Sequence, residues 1–363
     1  MQQFKKMIMG ALLLVPVVTL TTGCKKFLDR KPLSITTDDV KVGALEGQVL
    51  GLYGAVRNSK DQPYCGDGFE NIPWVAMNGF RSDDAENVAD PGASAWHQTY
   101  DNFQYTKDDW GAGLYWDKHY VFIGLCNDAL DVAATNNYTD PASIVNIAEA
   151  KFWRAYSYFD LVRTFGDVPK IDFKIKNPAD GNKAKAPAAE IYALIDADLT
   201  YAEQHLPAQW EAKFKGRLTS YAAKTFHAKA LLYRQQWANA LTLCKEVINS
   251  TQYSLAPQYW KIFKKEGELN SESIFEIQAS KTAGDGDVYW SRLGQCQGVR
   301  GGSGAWDLGW GWNTPTASLE ASYEAGDVRK DATILYSNQS DGVTNTGGYR
   351  QNPAQPDQRP LLE

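Results

Sequence analysis

The stretch from about residue 118 to 250 constrains the fold most, because its apolar residues recur with the helical period and its breaks fall where helices end. In "DPASIVNIAEAKFWRAYSYFDLVRTFGDVP", residues 140–169, Asp140 is placed to cap a helix and Pro141 to fill its first position. Ile144, Ile147, Ala148, Ala155, Phe159 and Val162 then return at spacings near 3.6, so one stripe is expected to face a core. Gly166 and Pro169 end the run. A second helix, "PAAEIYALIDADLTYAEQHLP", sets Ile191, Leu194, Ile195, Leu199, Ala202 and Leu206 on one face between two prolines. "TSYAAKTFHAKALLYRQ" and "WANALTLCKEVINS" follow as a tight pair, with Ala222, Ala223 and Ala230 where helices can approach closely. Helix, short turn and helix, with alanines opposite aromatics, is similar to the tetratricopeptide repeat. The expected fold is mostly α. Tetratricopeptide-like helix pairs form an α/α superhelical scaffold, with long irregular ligand-binding loops and little β.

Outside this block, "GALEGQVLGLYGAVRNS" (43–59) reads as one more helix, and "SESIFEIQAS" (271–280) as a short strand or extended segment. Two long irregular regions remain. Residues 60–115 are polar and aromatic, with Trp74, Trp96 and Trp110, and nine glycines fall between Gly284 and Gly311. Loops of this length inside a compact protein are functional or unstructured.

The first residues, "MQQFKKMIMGALLLVPVVTLTTGC", present Lys5 and Lys6, an apolar run from Met7 to Leu20, and small residues before Cys24. This is a signal-peptide pattern over residues 1–23, and its apolar run is too short for a transmembrane helix. Thr21-Thr22-Gly23-Cys24 resembles the lipobox of bacterial lipoproteins, in which the cysteine carries the lipid; Thr21 stands where leucine is usual. Acyl chains on Cys24 would hold the chain on a membrane, each buried methylene contributing about 0.8 kcal/mol. Loss of residues 1–23 would leave 35 of the 37 basic side chains against 43 acidic ones. That balance gives no electrostatic reason to bind nucleic acid. Cys126 and Cys244 sit in helical patterns and are expected as buried thiols, whereas Cys65 and Cys296 lie in loop-like sequence and could pair in an oxidising compartment.

No catalytic or metal motif stands out. His97, His119, His205 and His227 are scattered without ligand spacing. "GVRGGSG" has neither the strand before it nor the helix after it that a dinucleotide loop needs. "GDGD" at 284–287 fails as a calcium loop, because position 12 from Asp285 is Cys296 rather than a bidentate carboxylate. The acids of "RSDDAE" (81–86) select no pair for glycoside hydrolysis. The aromatic distribution says more. Of 12 tryptophans, Trp290, Trp306, Trp310 and Trp312 fall within residues 290–312, beside Tyr289. A tryptophan face accepts the C–H side of a sugar ring while its N–H stays free for a hydroxyl, and each such contact is worth about 0.5–1.5 kcal/mol. Several are needed on one surface.

Several stretches together resemble the SusD/RagB family of outer-membrane nutrient-binding lipoproteins. They are "CKKFLDRKP" after the lipobox, "AEAKFWRAYSYFDLVRTFGDVP", "IYALIDADLTYAEQHLP", "GRLTSYAAKTFHAKALLY", "NSESIFEIQ" and "GWGWNTPTASLEASYEAGDVR". The resemblance implies a signal peptide at 1–23 with lipidation at Cys24. It also implies a helical region with repeats at 24–270 and the start of a C-terminal region at 271–363, cut short in its Gly-, Asn-, Gln- and Pro-rich tail. It implies no catalysis, no metal and no cofactor. The expected activity is capture of an oligosaccharide and its delivery to a SusC-like TonB-dependent transporter, from a lipid-anchored position on the outer membrane facing outward. A RagB-like peptide binder and a structural scaffold of the envelope are the alternatives. The ligand-binding residues it implies are Arg81, Asp83, Asp84, Trp96 and Asn102 from the first loop, with Tyr289, Trp290 and Trp306 from the glycine-rich one. Trp312 is expected to pack as an anchor, and Trp310 is assigned neither role.

Overall fold

The computed structural model describes residues 43–56, 72–86, 95–278, 312, 314–335 and 361–362. Expectations for Cys24, Cys65, Tyr289, Trp290, Cys296, Trp306, Trp310 and the segment 1–23 lie outside them. The chain divides into two compact units, Met1–Gly47 and Gln48–Glu363. Of the first, only the opening turn of helix α1 (Gly43–Val56) is described, and all later elements belong to the second.

The structure is mostly helical. A short helix α2 (Ile72–Trp74) runs into a π turn, Val75–Gly79. Strand β1 (Ala85–Glu86) and helix α3 (Ala95–Asp101) come next, then α4 (Trp110–Thr135) and α5 (Pro141–Phe165). Strands β2 (Val168–Pro169) and β3 (Lys185–Ala186) pair antiparallel. Next come α6 (Ala188–His205), α7 (Ser220–Leu232) and α8 (Trp237–Asn249). Later elements are β4 (Thr314–Pro315), α9 (Ala317–Ser322), α10 (Val328–Thr333), and β5 (Ile334–Leu335) paired with β6 (Leu361–Leu362). Helices α4 to α8 pack successively, each on the next, as helix pairs of tetratricopeptide type.

The capping chemistry read from the sequence is present. Asp140 accepts from Ser143 N at 3.0 Å, and Gly166, at φ 73°, ends α5 in a conformation that glycine adopts without strain. The single stripe expected on α5 is corrected. From Ala148 to Val162 that helix is buried nearly all round, while Ile144 and Ile147 are only half-buried. Its position explains this, since α5 packs on α4 and α6, and Phe152 and Phe159 reach Phe226 of α7 at 5.5 and 5.3 Å. A helix covered on several sides must bury polar residues too, and each of these needs a partner.

Two networks supply the partners. Arg154 donates from Nε and Nη2 to Asp198 of α6 at 2.7 and 2.9 Å, and from Nη1 to Asn127 Oδ1 of α4 at 2.9 Å. Lys151 adds a third contact to Asp198 at 2.8 Å. Glu149, fully buried, accepts from Tyr53 Oη at 2.6 Å and from Arg217 at 3.0 and 2.5 Å. One carboxylate on α5 thus holds both α1 and the loop before α7. His119 is different. It lies 3.7 Å from Asp160, yet burial outweighs the pull of that carboxylate and lowers its pKa to about 4, so the imidazole is uncharged at physiological pH and the contact is not an ion pair.

Cys126 is buried as expected, but Cys244 is exposed, as are Trp237, Leu241 and Ile248. Only Ala240 and Val247 of α8 are buried, since α8 packs chiefly on α7 and needs just a narrow stripe.

Candidate ligand-binding face

The region expected to be a loop from 60 to 115 contains ordered pieces. Asp109 caps α4 by accepting from Gly111 N at 3.1 Å, so the helix begins at Trp110 and not near residue 118. Helix α3 carries Trp96, His97 and Tyr100, and His97 and Tyr100 are fully buried. Tyr100 Oη donates to Asp109 and accepts from Ala112 N at 2.9 Å, which ties α3 to the first turn of α4. Burial first, and then the hydrogen bond to Asp109, raise the phenol well above its usual pKa, so it stays a donor. Gly111 is required at this contact, because a Cβ there would meet Tyr100 Oη at 2.5 Å.

An aromatic cluster grows from this frame. Trp96 meets Phe80, Tyr100, Trp110 and Trp312 edge-on, with ring centroids 5.8, 6.2, 4.9 and 5.5 Å away. Tyr105 stacks on Tyr100 at 4.9 Å, and the Arg81 guanidinium lies 5.4 Å from the Tyr105 ring and 5.5 Å from that of Phe103. The outermost rings are open to solvent, Trp110 at 46% and Phe103 at 59% exposure. Arg81 donates through Nη1 to Met77 O at 3.3 Å, while its Nε is buried with no hydrogen-bond partner. It also lines a cavity of about 220 Å³ with Asn78, Arg163 and Tyr233. At the other edge of α3, Asp101 has its pKa raised by burial and then by the charge of Glu86.

The segment 312–316 joins this cluster from far along the chain. β1 and β4 pair antiparallel, Ala85 opposite Pro315 and Glu86 opposite Thr314. Thr314 Oγ1 donates to Glu86 O at 2.8 Å, Thr316 N to Asp84 O at 3.0 Å, and Thr316 Oγ1 to Asp83 O. Trp312, half-buried, then lies 4.4 Å from His97, the packing role expected of it. The chain therefore fastens the end of the glycine-rich region onto the first aromatic region.

Among the sequence-derived site residues, Arg81 and Trp96 meet in this cluster. Asp83 and Asp84 are exposed, and their backbone carbonyls hold Thr316. Asn102 is exposed at the end of α3, its N–H bonded to Gln98 O at 2.9 Å. Tyr289, Trp290 and Trp306 lie outside the described residues. Phe103 and Tyr105 were not singled out in the sequence, and Trp110 was noted in the aromatic region without a binding role. The signal for them was the aromatic density of "YDNFQYTKDDW" (100–110). Among the described residues, no group of three or more His, Cys, Asp or Glu is placed to hold a metal ion, and no helix is long and apolar enough to cross a membrane.

Tetratricopeptide-type helix pairs with an aromatic face held on irregular segments define the class of fold. The family model described as "Starch-binding associating with outer membrane" matches residues 26–232, and the chain belongs to this SusD-like family. SusD-like protein P2 of Formosa agariphila is 29% identical over 262 residues, covering 69% of this chain and 50% of that protein. The chain spans about half the length of the curated relatives it matches. Among solved structures, a laminarin-binding SusD-like protein is 26% identical with a TM-score of 0.68, over 80% of this chain and 65% of that one. Surface glycan-binding protein A from Bacteroides thetaiotaomicron, in complex with laminarihexaose, shares the fold at 23% identity with a TM-score of 0.66, over 80% of this chain and 62% of that one.

Proposed function

We propose that this chain binds an oligosaccharide without catalysing its cleavage, and delivers it to a SusC-like TonB-dependent transporter. The observation that carries the reading is the pair of exposed rings, Trp110 and Phe103, on one cluster with Arg81. Exposed aromatic faces stack on the C–H side of sugar rings, and the terminal N–H groups of a guanidinium beside them can donate to hydroxyls. Trp96, half-buried, holds Trp110 in place and offers its remaining edge. Asp83, Asp84 and Asn102 supply carboxylate and amide groups at the rim, and Tyr289, Trp290 and Trp306 add a second aromatic wall from the glycine-rich region. The family description and the glycans named for the related structures support this class of ligand.

The signal segment 1–23 is removed in this reading, and Cys24 is lipidated, so the helical region from 24 to 270 and the C-terminal region from 271 are held on the outer membrane facing outward. Calorimetry with the full chain against plant, host and microbial glycans, with peptides as controls, tests the ligand class. Binding of a glycan family that Trp110→Ala weakens is expected. Selective binding of peptides would replace the reading with a RagB-like one, and binding of neither would end it. Cys24→Ala should release the protein from the membrane fraction.

A further inference from the structure

A second cavity, of about 480 Å³, opens between the loop before α7 and the segment 252–276, on residues separate from the Arg81 face. Its size falls within the range of small-molecule sites. Trp210, Tyr253 and Phe275 form its apolar walls; at the rim Ser271 Oγ, which donates to Ser254 O at 3.1 Å, keeps its lone pairs, and Asn270, which donates to Gly267 O at 2.7 Å, keeps a second amide N–H.

These walls are held from behind. Trp210 donates through Nε1 to Leu218 O at 2.8 Å, and the Arg217 guanidinium covers one of its faces at 4.3 Å from the centroid. Phe275 packs against Trp153 at 5.8 Å and Phe152 at 6.5 Å. The backbone at the lining is held in a costly shape. Leu269, at φ 52°, is a non-glycine residue in the left-handed region. Such conformations persist where the surroundings over-determine them, and they gather at ligand sites. Here Leu269 N donates to both carboxylate oxygens of Glu276 at 3.0 Å, and Lys215 Nζ donates to Leu269 O at 3.0 Å. One strained residue is thus pinned at both its N–H and its carbonyl.

Charge decides the kind of ligand. Arg217 is neutralised by Glu149, and Lys215 and Glu276 bind opposite ends of Leu269, so the cavity presents balanced charge. Balanced charge selects no ion. Aromatic walls with hydroxyl and amide groups at the rim fit a neutral ligand that has both apolar faces and hydroxyls. We propose that this cavity is a second binding site, for a single neutral sugar ring, separate from the Arg81 face. The ligand class rests on the proposed glycan function, and the two sites are distinguished by variants that touch one only.

The test is saturation-transfer NMR with the full chain and D-glucose, D-galactose, D-mannose and D-xylose at millimolar concentration, with a neutral dipeptide as control. A stacking wall recognises ring faces, so transfer to at least one sugar is expected. Ser271→Trp, which fills the exposed rim, and Tyr253→Ala should each weaken it about tenfold, with thermal melting checking that both variants fold. To remove transfer from the Arg81 face, the cavity variants are measured in the Trp110→Ala, Phe103→Ala background, where the transfer that remains should fall about tenfold on adding Tyr253→Ala or Ser271→Trp. The proposal is overturned if transfer goes only to the dipeptide, is absent for all four sugars, disappears in the Trp110, Phe103 double variant, or survives both cavity variants in that background.

Discussion

Arg154 and Arg81 carry the same guanidinium, and the fold surrounds them differently. Arg154, within the helix pairs, gives its N–H groups to Asp198, Asn127 and Asp172 O, so its charge meets a carboxylate at 2.7 Å. Arg81, at the aromatic face, has two ring faces and one backbone carbonyl, with a buried Nε left over. In the scaffold, burial is complete and every charge must be neutralised internally, or the cost reaches several kcal/mol. At the face, Arg81 is held by rings and one carbonyl, with no carboxylate partner among the described residues. The comparison separates a guanidinium neutralised inside the scaffold from one that, in the proposed reading, serves the ligand face.

The largest effect should come from breaking the scaffold side. Asp198→Ala leaves Arg154 buried without its carboxylate, and urea unfolding should show a loss of about 3–5 kcal/mol. A loss below about 1 kcal/mol would mean that the scaffold tolerates unpaired charge as the face does.

The next effect depends on pH. Burial alone would lower the pKa of His227, but its hydrogen bonds to Asp196 and Glu203 outweigh this and raise it from 6.5 to about 9. Folding therefore tightens proton binding. The contribution of His227 is whole below pH 6.5 and is lost as the pH rises to about 9, on the order of 3 kcal/mol. Chemical unfolding followed from about pH 6 to about pH 9.5 should show this decline, and His227→Gln should flatten it.

On the face, Trp110→Ala should weaken glycan binding about tenfold by calorimetry and leave the melting temperature nearly unchanged. A large drop in melting temperature with unchanged affinity would move Trp110 to the scaffold side of the comparison. The smallest effect is expected for the surface pair Lys224–Glu246, 2.6 Å apart with Glu246 nearly half exposed. Glu246→Ala should change stability by less than about 1 kcal/mol.

Much of the scaffold was legible in the sequence because helical information is local. The period of Ile191, Ile195, Leu199 and Ala202 set the buried face of α6, and all four are fully buried. Asp140 and Gly166 marked the ends of α5 by chemistry that acts within a few residues. The burial of α5 on nearly all sides was not legible, since a period reports one face and cannot count how many neighbours a helix will have. Glu149 and Arg154 look in sequence like solvated charges, and only their partners on α1, α4 and α6 make them interior.

For the candidate face, the sequence supplied Arg81 and Trp96 through a family resemblance, and placed the aromatic residues in two regions far apart in the chain. It did not distinguish Trp96, which rings surround edge-on, from Trp110, whose ring is open. Residue type is the same in both, and exposure is a property of neighbours. By itself, then, the sequence determined the helices, their caps and the family, because periodicity and capping act over a turn or two of chain. Only the tertiary structure decided which guanidinium is neutralised, which ring is open, and that Thr314 and Thr316 bind the backbone of 83–86. Those outcomes depend on groups brought together from distant parts of the chain, and no local pattern encodes them.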